Sequence, residues 1–169
     1  MSLTTHLAQK KSAILGRWLT TIYESYPPET AIFLRKEKNR FDNPAGYRIS
    51  EGLEGLYGAL LQEMEREQIL TWLDEVIRIR VLQNFAPSQA LAFIFLLKDV
   101  IRQELAAEIQ KENLAAELLE LESRIDGLAL LGFDVYAKRR EKLHEIRTGE
   151  MKARISAFMR KSGLAGDSL

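Results

Sequence analysis

The stretch Pro87-Ser-Gln-Ala-Leu-Ala-Phe-Ile-Phe-Leu-Leu-Lys-Asp-Val-Ile101 decides the fold class. A proline suits the first turn of a helix, where its missing amide hydrogen leaves nothing unsatisfied. Leu91, Phe93, Ile94, Phe95, Leu97 and Ile101 make the segment apolar on most sides, which reads as the buried central helix of a bundle. Its unbroken apolar run, Ala90 to Leu97, stops at Lys98. That is far short of the ~20 residues needed to cross a bilayer, so no membrane insertion is expected.

Working outward, apolar residues recur at three and four rather than at two, which predicts helices and no sheet. A first helix is expected from about Leu3 to Glu24, with Leu7, Ile14, Leu15, Trp18, Leu19 and Ile22 on one side. Pro27-Pro28 ends it. A short helix from Glu29 to about Lys38 carries Ile32, Phe33 and Leu34. Asn43-Pro44 reads as an N-cap and a first helical residue. The helix it opens runs to about Glu65 with Ile49, Leu53, Leu56, Tyr57, Leu60, Leu61 and Met64 inward. Another, about Glu67 to Asn84, shows Ile69, Leu73, Val76, Ile77 and Val81. Beyond Pro87 there is no further proline. The pattern thins to Leu114, Leu118, Leu121, Ile125 and Leu128, whose steps of four and three make a candidate coiled-coil dimer seam. Gly127, Gly132 and Gly149 mark expected breaks or bends, since glycine costs about 1 kcal/mol against alanine in a helix. Residues Gly163 to Leu169 read as a flexible tail.

At 169 residues, with 46% hydrophobic and 28% charged side chains, the chain suits one ordinary globular domain. Lys plus Arg equals Asp plus Glu at 24 each, which argues against a dedicated nucleic-acid binder. The zero total hides an asymmetry. Gln103 to Asp126 holds seven acids and two bases, net −5, whereas Tyr136 to Lys161 holds nine bases and three acids, net +6. That pattern invites antiparallel or partner pairing, or an anionic partner for the basic end, against a default of solvated helix faces. No cysteine is present, which removes disulfides, thiolate nucleophiles and zinc–cysteine sites. The polar N-terminus lacks a signal-peptide core, so a cytoplasmic protein is expected.

Little of the sequence points to chemistry. Gly52, Gly55 and Gly58 fall inside an amphipathic helix, where close helix approach explains them better than a phosphate loop. Glu141 and His144 form a lone Glu-x-x-His among Lys138, Arg139, Arg140 and Lys142, whose charge would repel a metal. With two histidines and no G-x-S-x-G elbow, an enzyme has little material, and no catalytic residue, metal or cofactor is assigned. The aromatics of the first half, among them Trp18, Tyr57, Phe85 and Phe93, read as core before ligand pocket.

One resemblance is specific. The strings Arg40-Phe-Asp-Asn-Pro-Ala-Gly-Tyr-Arg-Ile49, Leu73-Asp-Glu-Val-Ile-Arg-Ile-Arg80 and Gln83-Asn-Phe-Ala-Pro-Ser-Gln-Ala90, then Ile101-Arg-Gln-Glu-Leu105, resemble the N-terminal domain of RsbR-type co-antagonists of the stressosome switch kinase RsbT. The likeness spans roughly residues 5 to 110. It implies a globin-like, haem-free, dimeric helical sensor that passes a signal through a linker helix to a STAS domain. A STAS domain of about 100 residues has no room between residue 110 and Leu169, so a stand-alone sensor is expected. The resulting layout is a helical sensor at 1–110, a helical extension at 111–162 and a tail at 163–169. The expected function is non-enzymatic sensing through protein–protein interaction as a homodimer, in which a shift of the helix after Pro87 moves the extension. A structural adaptor without sensing, or an enzyme accessory that binds a small molecule, are the alternatives. Arg78, Arg80, Gln83 and Gln89, the polar members of the family-like strings, are the candidate ligand or partner contacts, with capping and ion pairing as their simpler reading.

Overall fold

Prolines set three of the helix starts. Pro28, Pro44 and Pro87 open α3 (Pro28–Lys36), α4 (Pro44–Leu61) and α6 (Pro87–Glu104). Asn43 adds the expected N-cap, its side-chain oxygen accepting from the Gly46 amide at 2.9 Å. The computed structural model describes residues 1–164. Over these the other helices are α1 (Leu3–Gln9), α2 (Lys11–Tyr23), α5 (Arg66–Leu82), α7 (Ala106–Glu112) and α8 (Ala115–Lys161), with no strand among the described residues. The chain is all-α, as its periodicity predicts.

Two compact units divide the chain, Met1–Tyr136 and Ala137–Leu169. In the first, α6 supplies the central core, with Ala90, Phe93, Ile94, Leu97 and Ile101 all buried. Helix α2 lies along it. The Trp18 indole N–H donates to the Phe93 carbonyl at 2.6 Å, and the two rings stack with centroids 6.2 Å apart. Helices α4 and α5 approach through glycines. A Cβ at Gly52 would stand 2.6 Å from Val76 Cγ2, and one at Gly55 would stand 2.3 Å from the Trp72 ring. Gly58 meets only Met64 Cε, at 4.0 Å, so the close approach is confined to two of the three glycines. Tyr57, whose phenol burial holds well above its ordinary pKa, donates to the Leu7 carbonyl at 2.9 Å and ties down α1.

Several sequence expectations need correction. The first helix is two, broken at Lys10, whose backbone is not helical (φ −97°, ψ 14°). Ile32 and Phe33 stand half exposed, and Ala31 and Leu34 bury that helix instead. The glycines of α8 do not break it. Gly132 admits α6, because a Cβ there would stand 2.9 Å from Ile94 Cδ1, while Gly127 and Gly149 have open space around them. The interruptions fall earlier, at Leu105 between α6 and α7 and at Asn113, whose φ of 55° lies in the left-handed region that asparagine tolerates. In the second unit none of the described residues is buried. The tail expected at 163–169 lies, from residue 165 on, outside the described residues.

Candidate functional site

Arg80 lies in the last turn of α5, on the inward face shared by Val76, Ile77 and Val81. That spacing carries a guanidinium into the core, where it is 1% exposed. One terminal nitrogen donates to Ser25 Oγ at 3.1 Å and to the Gln89 carbonyl at 2.9 Å. The other reaches the Tyr26 hydroxyl at 3.5 Å. The cation sits 4.5 Å from the Phe85 ring centroid and 5.6 Å from that of Tyr26, and those rings meet edge to face at 5.5 Å. Its Nε has no partner, and no ion pair of Arg80 with a carboxylate occurs among the described residues.

Burial pushes the Arg80 pKa down, and the Tyr26 hydroxyl acts the other way. An arginine starts so high that it remains a cation. Burial holds the Tyr26 phenol above its ordinary value despite Arg80 and Gln83, so it stays neutral and donates to Gln83 Oε1 at 2.7 Å. The cation is therefore held by neutral oxygens and π faces. It ties the residues after α2 to the end of α5 and the first turn of α6.

The structure brings together three of the four polar candidates. Arg80 and Gln83 share the Tyr26 hydroxyl, and Gln89 gives its carbonyl to Arg80. The Gln89 side chain caps α6, its oxygen accepting from the Ala86 amide at 3.1 Å. Arg78 lies elsewhere, 3.5 Å from Glu75, which also faces Arg48 at 3.6 Å. Sequence reasoning missed Ser25 and Tyr26, although Tyr26, the residue before Pro27-Pro28, is a polar aromatic placed where a helix must end. Of the candidate seam, Leu114, Leu121, Ile125 and Leu128 are buried within the first unit, and Leu118 is half buried. A second copy reaching the four buried ones would have to displace the chain's own side chains.

The acidic stretch is neutralised from within. Arg17 meets Glu104 at 2.5 Å, Lys10 meets Glu108 at 2.7 Å and Lys98 meets Asp126 at 2.5 Å. Arg102 grips Glu122 with two bonds, 2.7 and 2.8 Å long. Glu112 takes the N-terminal ammonium and His6, and Glu117 accepts from the Leu3 amide at 2.7 Å. The Lys10 ammonium holds the Glu108 carboxyl below the usual range, and the N-terminus with His6 does the same for Glu112.

A second feature lies on the outside of the first unit. Pro87, Leu91, Ala92, Phe95, Leu96 and Phe133 line an apolar groove of about 450 Å³. Phe95 is 49% and Phe133 56% exposed, and nearby in sequence on α8 Leu130 is 74% exposed. No cluster of three or more metal-ligating side chains occurs among the described residues, nor any helix long and apolar enough to cross a membrane.

These features define an all-α helical domain with a buried cation and an apolar outer groove. More particularly, the chain belongs to the RsbT co-antagonist protein rsbRD N-terminal domain family, whose match covers residues 12–151. That family comprises regulatory stress-signalling domains. The match runs further into α8 than the strings between Arg40 and Leu105 indicate. No curated protein and no solved structure matches the chain.

Proposed function

We propose that this protein is a non-enzymatic, cytoplasmic signal-sensing domain of globin-like form that acts through protein–protein interaction as a homodimer. The observation that carries the reading is the groove beside Phe95 and Phe133, in a chain of this regulatory family. A second copy suits it for two reasons. The groove bears both a hollow and projecting aromatic rings, so that a two-fold axis would let each copy fill the other. Its one charged lining residue, Asp99, faces Arg102 of the same chain at 3.7 Å, which lessens repulsion between like surfaces. Leu121, Ile125 and Leu128 of α8 are buried within the first unit and would couple that part of the helix to the bundle.

In this reading Arg80, Gln83 and Gln89 are the coupling centre rather than direct ligand contacts. A signal that favours one packing around the unpaired cation would shift α6, and with it the groove, in proportion to its different affinity for the two packings. Arg78 stands apart from that route. A structural adaptor would keep the dimer but leave the Arg80 surroundings unchanged under every stimulus. Sedimentation of the intact chain and of Phe133→Glu tests the dimer. The expected result is a dimer well below ~100 μM for the native chain and a folded monomer for the variant. A native chain that is monomeric at ~100 μM would sink the proposal.

A further inference from the structure

The second unit offers a surface made of other residues than the groove of the proposed homodimer. From Ala137 to Lys161 the helix has side chains on every side and none buried. His144, Thr148, Met151, Ile155 and Phe158 follow one another at steps of four, three, four and three, and so lie along one line. Met151, Ile155 and Phe158 are 63, 52 and 66% exposed, an apolar edge that nothing in the described chain covers. In coiled-coil terms Glu141, Thr148 and Ile155 take the a positions, and His144, Met151 and Phe158 the d positions. The g positions are then Arg140, Arg147, Arg154 and Lys161, each seven residues from the next and all basic. The e positions Glu145, Lys152 and Met159 add no compensating excess of acid. Whatever neighbours each side chain has along its own helix, residues 137–164 keep nine bases against three acids.

That charge decides the occupant. A second copy paired antiparallel would set g against g, arginine against arginine. Paired parallel, it would set Arg147 against Lys152 and Arg154 against Met159 of the other chain, with Arg140 against Glu145 the one favourable pair. Like charges across a seam are costly, and they select against the wrong partner. The acids of the first unit do not answer the need either, since those from Glu104 to Asp126 are mostly held by its own bases or backbone. An anionic lipid surface fits less well. Lys142 and Arg160 lie on the side away from the seam, and Lys138 and Lys152 flank it, so the apolar edge is too narrow to sink into a bilayer.

We infer that residues 140–161 form a docking helix for a protein partner that presents an amphipathic helix with an apolar seam flanked by Asp or Glu. The inference does not rest on the homodimer.

The test uses the intact chain and a labelled four-heptad peptide with Ile at a, Leu at d and Glu at e and g. A matching peptide with Lys at e and g and vesicles of mixed phosphatidylserine and phosphatidylcholine serve as competitors. The chain should bind the Glu peptide and bind the Lys peptide at least about tenfold more weakly. Arg140→Glu, Arg147→Glu, Arg154→Glu and Lys161→Glu, combined in one chain, should exchange the two preferences, and that gain also shows the variant to be folded. Ile155→Asp with Phe158→Asp should abolish both. Equal binding of the two peptides, no binding of either, or tighter binding to vesicles than to the Glu peptide would overturn the inference. So would a charge-reversed chain that changes its own oligomeric state in sedimentation, because the helix would then be a self-interface. An unchanged oligomeric state leaves the homodimer to be judged by Phe133→Glu alone.

Discussion

Ile125 and Ile155 are the same residue on the same helix, yet one is 0% and the other 52% exposed. The stretch of α8 up to Tyr136 is walled by the first unit, and its acids are held by Arg102 and Lys98. Among the described residues the stretch from Ala137 on has no buried side chain, and it carries an excess of base. Apolar spacing at three and four marks both stretches equally. Spacing therefore says that a face wants covering, and only the surrounding charges and neighbours say by what.

The contrast breaks most directly by truncation. Ile125→Ala should lower stability by about 3 to 4 kcal/mol, the cost of a cavity in a core that cannot fully collapse. Ile155→Ala should stay within about 0.5 kcal/mol, as exposed positions do. Urea titrations of the two variants decide it, and equal losses would mean that the second unit is buried in solution.

Arg80 sharpens the comparison from the other side, as a charge buried where Arg154 is exposed. Arg80→Ala should cost about 2 to 3 kcal/mol, because it leaves a cavity and deprives Ser25, Tyr26 and the Gln89 carbonyl of their donor. Arg80→Met fills the space without an uncompensated cation and should recover most of that loss. If Met is as damaging as Ala, the guanidinium's bonds matter more than its volume. Arg154→Ala should leave global stability nearly unchanged.

Glycines of α8 give a smaller effect. Gly149→Ala meets open space and should gain about 1 kcal/mol of local helix stability, visible as slower hydrogen exchange around residue 149. In Gly132→Ala the same propensity gain is offset by Ile94 Cδ1 at 2.9 Å, so the melting temperature should stay level or fall slightly.

The smallest effect is acidic. Glu108 and Glu112 have folded pKa values below the ordinary 4.5. Their stabilisation is present above that value and is lost as pH falls through the lower folded values. Lys10→Met removes the largest cause of the Glu108 depression, so the drop in melting temperature from about pH 5 to pH 3 should be shallower than in the native chain. An unchanged slope would show the Lys10–Glu108 pair to be fully screened by water.

Much of the site was within reach of the sequence. Val76, Ile77, Arg80 and Val81 fall on one helical face, and Arg78 does not, so the spacing alone separates the buried arginine from the half-buried one. Gln89, three residues after Ala86, was recognisable as a capping position. Ser25 and Tyr26 were not recognisable, because their role depends on α2 ending beside the α5–α6 junction, a neighbourhood that joins residues more than fifty positions apart.

By itself the sequence determined that the chain is helical, where prolines and Asn43 start its helices, and most, though not Ile32, Phe33 or Phe95, of the side chains that leave water. These follow from local sterics and from the 3.6-residue turn, which act over a few neighbouring residues. Tertiary structure alone decided that Leu114, Leu121, Ile125 and Leu128 are buried in their own bundle, that Asn113 rather than a glycine breaks the chain's course, and that no carboxylate among the described residues pairs with Arg80. Hydrophobic burial is non-directional, so a greasy face is satisfied equally by the same chain or another, and only the folded neighbourhood makes the choice.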